Sequence, residues 1–487
     1  MDPIPFPQLS HEQENELKLN AQQWSLSNGL VMYPPNFETF QTNVAPITLF
    51  PTPIPKTSFQ QALNVQKIYN ELYINLITKH KSWLIEVLEE LAKFDPNFTG
   101  KLFEIYKESI KDEVLQPISL GIFRSDYMID SNLNDIKQIE FNTVSVSFGG
   151  LSTKIGQLQN FLNSTGFYDN KYNFKYYEDE SLPISNSIEK IAEGLAQGNF
   201  YYNDKQENED TIVLFVVQPN ERNCFDQRLI EYELFNKHKI KAFRATLEEI
   251  EEVVTINSDK AYIKSTTQEI SVVYYRSGYG PGDYEVNPAK SWNARLILEK
   301  SKAIKCPSIL TQLSGSKKIQ QLLTDHEILK KILPDLSNTD FKELISTFVN
   351  IYPFDDSELG KKAKKLAFES PEKFVLKPQR EGGGNNIYKK NIPDFLKSIP
   401  ESEWGAYILM ELITPKTFKN KIMRNKDIYN ENIISELGIF GNILFNETTG
   451  EILKNENAGW LLRSKFETSD EGGVAAGFGC VDNIYLY

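Results

Sequence analysis

KPQREGGGNN, Lys377 to Asn386, follows a lysine with a glutamate, three glycines and two asparagines. Glycines offer successive backbone N–H groups with no Cβ in the way, so the run either turns the chain or wraps around phosphate oxygens. No Lys-Ser/Thr follows the glycines and no dinucleotide fingerprint is present, which excludes a P-loop and that fingerprint. Protein kinases place the glycine loop before the lysine, and neither HRD nor DFG occurs here. Lys377 lies on a short buried-type strand, FVLKP (Phe374 to Pro378), that feeds the loop, where its ammonium can neutralise the same anion.

Around this loop, IYKK and YILMELI read as further strands about a helix, so 340–415 forms one unit. Upstream, GSKKIQQLL opens a helix with Lys317 and Lys318 at its start. Residues 211–310 alternate TIVLFVV, IKAFRAT and ISVVYY strands with DQRLIEYELFNKH, LEEIEEV and SWNARLILEKS helices, which predicts a parallel sheet flanked by helices. Between 116 and 210, ISLGIFRSDYMI and IKQIEFNTVSV read as strands, the second with polar groups towards its C-terminal end. The first 115 residues read as helices, with capping boxes at SHEQ (Ser10 to Gln13) and SFQQ (Ser58 to Gln61). Between those boxes, PPNFETFQTNVAPITLFPTPIP contains six prolines and predicts a long surface connection. The tail after 432 reads as a hairpin, IISELGIFGNILF turning through NETTGE, and then a loop-rich end.

At 487 residues the chain exceeds what one core usually serves and predicts about two to four units. Its 66 acidic against 53 basic residues give a net charge of −13, which repels nucleic acid and anionic membranes at long range. An anionic ligand therefore needs a local cationic pocket. Three cysteines, Cys224, Cys306 and Cys480, with no CxxC, exclude a disulfide framework and a thiolate zinc site. Neither HExxH nor GxSxG occurs, which removes zincin and α/β-hydrolase chemistry. No basic segment followed by an apolar run opens the sequence, and runs such as IVLFVV are too short to span a bilayer. A cytoplasmic protein with no membrane and no nucleic-acid partner is expected.

Glu140, Asn142 and Glu381 carry oxygen donors of the kind magnesium prefers, and the spacing of the first two puts them on one strand face. The plain alternative is a solvated strand edge and a loop carboxylate. Arg124, Arg276 and Arg463 stand beside polar or Gly-rich residues and suit bidentate carboxylate recognition, although a surface arginine is the commoner case. GYGPG (Gly278 to Gly282) reads as a turn.

Taken in order, RSDYM, QIEFNTVSVSFGG, ERNCFDQR, YYRSGY, TQLSGSKKIQQ, FVLKPQREGGGNN, YILMELI, ISELGIFG and LLRSKFETSDEGGVAAG resemble the eukaryotic glutathione synthetase family. The resemblance implies an α/β (α+β) chain of ATP-grasp fold, with an inserted parallel α/β substrate-binding domain, a Gly-rich lid and a helical N-terminal part. Its domains would be 1–208, the helical region with part of the core; 209–315, the substrate-binding domain; 316–338, a core helix; 339–415, the lid domain; and 416–487, the rest of the core. It implies a homodimer that joins γ-glutamylcysteine to glycine through an acyl phosphate, using ATP and Mg²⁺. The alternative is another ATP-grasp carboxylate–amine ligase with a different acceptor, such as β-alanine.

On the same resemblance, the metal ligands fall on Glu140, Asn142 and Glu381. Lys317 and Lys377 would contact nucleotide phosphates, with Gly382, Gly383, Gly384, Asn385, Asn386 and Tyr388 closing over them. Met410, Glu411, Leu412 and Ile413 match the strand end that receives adenine, and Met128, Glu436, Lys465 and Glu471 match other nucleotide positions. Substrate positions fall on Arg124, Val144, Ser145, Val146, Ser147, Glu221, Arg222, Asn223, Gln227, Arg276, Ser277, Gly278 and Tyr279, with Arg463, Val474 and Ala475 completing the set. Arg463, Lys317, Lys377, Gly382 and Gly383 would carry catalysis. Ser277 and Glu471 stand where relatives often have Asp, which leaves their roles open.

Overall fold

The structure is a computed structural model that describes the chain apart from residues 1, 2, 112, 113, 132–134, 170–174, 209, 380–384, 471, 472, 475, 476 and 478. SHEQ is the expected capping box: Ser10 Oγ accepts from the Gln13 N–H while the Gln13 side chain accepts from the Ser10 N–H, opening α1 (His11–Asn28). The Pro-rich segment is more than a surface connection, because its Ile47–Thr48 pair (β1) is buried within the main sheet. SFQQ is not a cap. Pro55, already at φ −61°, precedes α2 (Lys56–Thr78), and Ser58 is buried in its first turn.

Next come the antiparallel strands β2 (Ile118–Ile129) and β3 (Ile136–Asn142). The TVSV that was expected to continue β3 instead turns, with Ser145 and Phe148 at positive φ, into α3 (Gly149–Ser164). Leu120 and Ile122 of β2 belong to the core cluster shared with α3, while Phe123 and Tyr127 belong to the cluster shared with α2. The alternation of a strand thus divides the core between two layers.

The parallel unit comprises β4 (Thr211–Val217), α4 (Cys224–His238), β5 (Lys241–Thr246), β6 (Glu269–Tyr275), α5 (Pro288–Lys300) and β7 (Ile304–Cys306). β4 pairs in parallel with β5 and β6, and β6 with β7. The continuous apolar run of β4 is buried throughout, as a parallel strand covered on both faces requires. LEEIEEV shrinks to a single turn, Ile250–Val253, because the chain continues into the hairpin of Val254–Asn257 with Lys260–Ile263. β7 meets β2 at Lys305 and Ser119, so the unit extends the main sheet.

The stretch 316–338, expected as one core helix, divides into α6 (Lys317–Leu322) and a helix over His326–Ile332, because Asp325 accepts from the Glu327 and Ile328 N–H groups and caps a new start. A second sheet follows, from β8 (Ile351–Pro353), α7 (Glu358–Glu369), β9 (Phe374–Pro378), β10 (Ile387–Tyr388), α8 (Asn391–Ser398) and β11 (Tyr407–Glu411). Its strands lie in the order β8–β11–β9–β10, all antiparallel. Phe374, Leu376 and Leu409 pack on α7 and α8, and the opposite face carries Ile351, Val375, Ile408 and Met410.

The expected hairpin closes the chain as β12 (Phe418–Arg424), β13 (Asp427–Asn446), β14 (Ile452–Phe466) and β15 (Gly479–Asp482). β13 pairs with β2, β12 and β14, while β12 also pairs with β1 and β1 with β15, so five strands form a closed ring. Among the described residues, no helix is long and apolar enough to cross a membrane.

Candidate active site

The register of the main sheet builds the site. Arg124 of β2 stands across from Asn142 of β3, and Asp126 from Glu140; on the other flank Gly438 of β13 faces Asp126 and Glu436 faces Arg463 of β14. Buried Asp126 gathers this set. Arg124 donates Nε–H and a terminal N–H to its two oxygens at 2.6 and 2.7 Å, Asn142 Nδ2 donates at 3.0 Å and Arg463 at 3.2 Å. These are charge-assisted bonds, strong where water is excluded. Arg463 also pairs with Glu436. Burial lowers the Arg463 pKa and the neighbouring Arg124 lowers it further, against the pull of Asp126 and Glu140.

A bulge in β3 positions the lysines. The ladder steps from Glu140 to Gln138, turning Ile139 out of register, and the Ile139 carbonyl accepts from Lys377 Nζ at 2.9 Å and from Gln320 Nε2 at 3.1 Å. Lys317, the first residue of α6, is buried with its Nζ 3.1 Å from Glu140 Oε2. Two ammonium groups from separate elements thus converge on one strand. Burial alone would raise the Glu140 carboxyl, but Lys317, Lys377 and Arg463 outweigh it and hold the group well below the usual carboxylate range. With Lys317 so placed, Lys318 turns its Nζ towards Asp355 at 3.7 Å, and burial lowers its pKa.

Beside the ladder, the loop Val144, Ser145, Val146 and Ser147 is clasped by two arginines. Arg124 donates to the Ser147 carbonyl at 3.1 Å, while Arg276, at the end of β6, donates to the Val146 carbonyl at 2.5 Å and to Ser147 Oγ at 2.6 Å. Asp226 of α4 then caps α3 from outside it, accepting from the Phe148 and Leu151 N–H groups at 2.8 and 2.9 Å. Asp226 is raised by burial, with those N–H bonds and Arg276 opposing the rise. Glu221 accepts from the Asn223 N–H and from Gln227 Nε2 at 2.8 and 2.9 Å, which ties three expected substrate residues together. Arg222 donates from Nε to the Tyr33 carbonyl at 3.2 Å. GYGPG is a turn as expected: Asp283 accepts from the N–H groups of Gly278, Tyr279 and Gly280, and Ser277 is buried beside them.

On the second sheet, Val375 has Tyr388 on one side and Met410 on the other, so two expected nucleotide contacts share the apolar face with Lys377. Asn386 Nδ2 donates to the Tyr388 hydroxyl at 3.2 Å, and Asn385 is exposed. Glu411, Leu412 and Ile413 line a cavity of about 870 Å³ that also reaches Lys318 and Ile351. Met128 lies two residues beyond Asp126 on β2. Lys465 lies on β14 and donates to the Asp470 carbonyl, and Val474 is buried in the α3 core. Glu381, Gly382, Gly383, Gly384, Glu471 and Ala475 lie outside the described residues.

The sequence reading missed three residues. Asp126 is in RSDYM, two positions from Arg124 and so on its face; that period was signal enough. Gly438, a glycine inside an apolar strand, marks a close approach. Asp226 gave no such signal, because its partners are backbone groups 75 and 78 residues away. Among the described residues no three His, Cys, Asp or Glu side chains form a metal-binding group, but Glu140, held ionised, and Asn142, whose Nδ2 is engaged and whose Oδ1 is left as acceptor, suit a hard cation.

The model of the ATP-binding domain of eukaryotic glutathione synthase matches residues 11–486. The large chain of glutathione synthetase from Schizosaccharomyces pombe is 39% identical over 500 residues, which cover 98% of each chain. The chloroplastic glutathione synthetase of Arabidopsis thaliana is 39% identical over 490 residues, 98% of this chain and 86% of its own. A solved structure of a glutathione synthetase-like effector from Globodera pallida, in its apo form, shares the fold with a TM-score of 0.76 at 22% identity over the whole of both chains. With a family model spanning nearly every residue and relatives this similar over their length, the chain belongs to the eukaryotic glutathione synthases, ATP-binding ligases that make glutathione.

Proposed function

We propose that this site joins the cysteinyl carboxylate of γ-glutamylcysteine to the amine of glycine, with ATP converted to ADP and phosphate. The γ-phosphoryl group passes to the carboxylate and leaves ADP and an acyl phosphate. The glycine nitrogen then attacks the acyl carbon, loses a proton to solvent and expels phosphate. The observation that carries this reading is the convergence of Lys317 and Lys377 on Glu140 and the Ile139 carbonyl. In a chain of net charge −13 it supplies the cationic pocket that a phosphate and a carboxylate both need.

Lys317 and Lys377 neutralise the transferring phosphate, and Arg463 holds the glycine carboxylate with its planar fork. Arg124 and Arg276 keep the Val144–Ser147 loop fixed against γ-glutamylcysteine, with Glu221, Asn223 and Gln227 on its other side. Mg²⁺ would be held by Glu140 and Asn142, with Glu381, and would neutralise phosphate charge as the carboxylate approaches. The adenine end belongs to Met410 through Ile413, and the glycine loop covers the acyl phosphate against water.

A homodimer and a cytoplasmic site of action belong to the same proposal. Exposed Tyr232 and Phe235, about one turn apart on α4, support the pairing. The test is ADP release from ATP, Mg²⁺, γ-glutamylcysteine and glycine, each omitted in turn. Release that needs both amino substrates supports the reading; release with β-alanine and not glycine overturns the acceptor.

A further inference from the structure

At the end of the main sheet remote from the ladder lies a cavity of about 400 Å³, within the size range of small-molecule pockets. β2 and β13 connect the two regions: each has one end in the site, at Asp126 and Glu436, and the other at this cavity, at Ile118 and Asn446 next to Glu447. Ile110, Val114, Ile256, Ile297 and Leu310 give it an apolar side, and the charged groups that line it are Lys305 and Glu447 with Asp259, Glu299 and Lys300.

Lys305, only 6% exposed, donates from Nζ to the Ser301 carbonyl at 2.8 Å, one of the three bonds an ammonium can make. Among the described residues no carboxylate closes on it as an ion pair. Glu299 also lines the cavity, and its charge supports the Lys305 ammonium without reaching ion-pair distance; one of its oxygens accepts from the Ile309 N–H at 2.9 Å and the other lies 3.8 Å from Arg295. Glu447 accepts from the Ser308 hydroxyl, and its own N–H is tied to the Pro117 carbonyl at 2.7 Å. Lys81, the other cation whose field reaches Glu447, lies over the Tyr106 ring at 5.5 Å. Lys305 and Glu447 thus face one space, apolar on one side, without closing on each other. Burial lowers Lys305 and raises Glu447, a strain that a counter-charge for each would relieve.

We propose that this cavity is a second small-molecule site, which takes an α-amino acid with an aliphatic side chain as the zwitterion, carboxylate on Lys305, ammonium on Glu447 and side chain against the isoleucines. Thermal shift and calorimetry of the full chain test it, with glycine saturating so that the acceptor position is filled. The probes are leucine, 4-methylpentanoate, which lacks the ammonium, and 3-methylbutylamine, which lacks the carboxylate. Leucine is expected to bind, and each analogue to lose at least about tenfold in affinity, the loss of one charged hydrogen bond. Lys305→Met and Glu447→Gln should lose leucine binding to the same extent. Glu447→Gln, at the edge of the cavity, should keep normal turnover and so serves if Lys305→Met does not fold. No binding of leucine, equal binding of either analogue, or undiminished binding by Glu447→Gln overturns the proposal.

Discussion

Gly438 of β13 stands directly opposite Asp126 of β2, and a Cβ at that position would lie 2.8 Å from Asp126 Oδ1 and 2.8 Å from Arg124 Cδ. The missing side chain is what lets a buried arginine fold back onto its carboxylate.

Gly438→Ala is therefore expected to displace the Arg124–Asp126 pair at an overpacking cost of about 1–3 kcal/mol. Turnover should fall more than thermal stability suggests, because Asp126 also holds Asn142 and Arg463. A variant with unchanged kcat and a normal melting temperature would show that the ladder tolerates the methyl.

Asp126→Asn removes the shared negative charge and puts an N–H donor in place of one of its two acceptor oxygens, leaving two arginines in a buried site, a loss of about 3–5 kcal/mol by analogy with broken buried ion pairs. Urea unfolding of the variant measures it. An unchanged midpoint would mean that Glu436 alone suffices for Arg463.

Lys377→Ala should lower kcat by about 10²–10³-fold, the usual effect of removing one preorganised donor. Arg463→Ala should raise KM for glycine above all. Initial rates with each substrate varied separate the two, and a change confined to KM for ATP would move Arg463 to the nucleotide.

Asp482 lies buried beneath the hydroxyls of Thr48, Thr52 and Ser464, and burial raises its pKa from 3.8 to about 6 despite those bonds. Between those values the folded chain holds a proton that the unfolded chain has released. This group's contribution to stability is complete at low pH and is lost as pH rises from about 4 to about 6, by on the order of 3 kcal/mol. Asp482→Asn cannot titrate, so its unfolding midpoint should gain on that of the parent chain as pH climbs through this window. Parallel pH profiles of the two proteins would rule the titration out.

The alternation of the parallel unit was legible because each strand there is an uninterrupted apolar run, as in Thr211 to Val217. Glu140 and Asn142 were legible because a strand puts i and i+2 on one face. The segment around Ile47 was misread for the same local reason. Pro46, Pro51, Pro53 and Pro55 argue against a strand, and only distant partners, Met423 and Val481, make two residues between them into one. The bulge at Ile139 has no signature in sequence, yet it decides where Lys377 donates. Asp226 likewise acts on backbone groups 75 and 78 residues away, a relation that no local pattern records.

The ring of five strands joins the opening of the chain to its close: Ile47 pairs with Val481, and Thr48 donates to Asp482 across 434 positions of sequence. On the ribosome, β1 emerges early and has no strand partner until β12 and β15 have been made. The ring cannot close until β15 has been made, and until then the nascent chain carries an apolar segment without its strand partners for chaperones to guard.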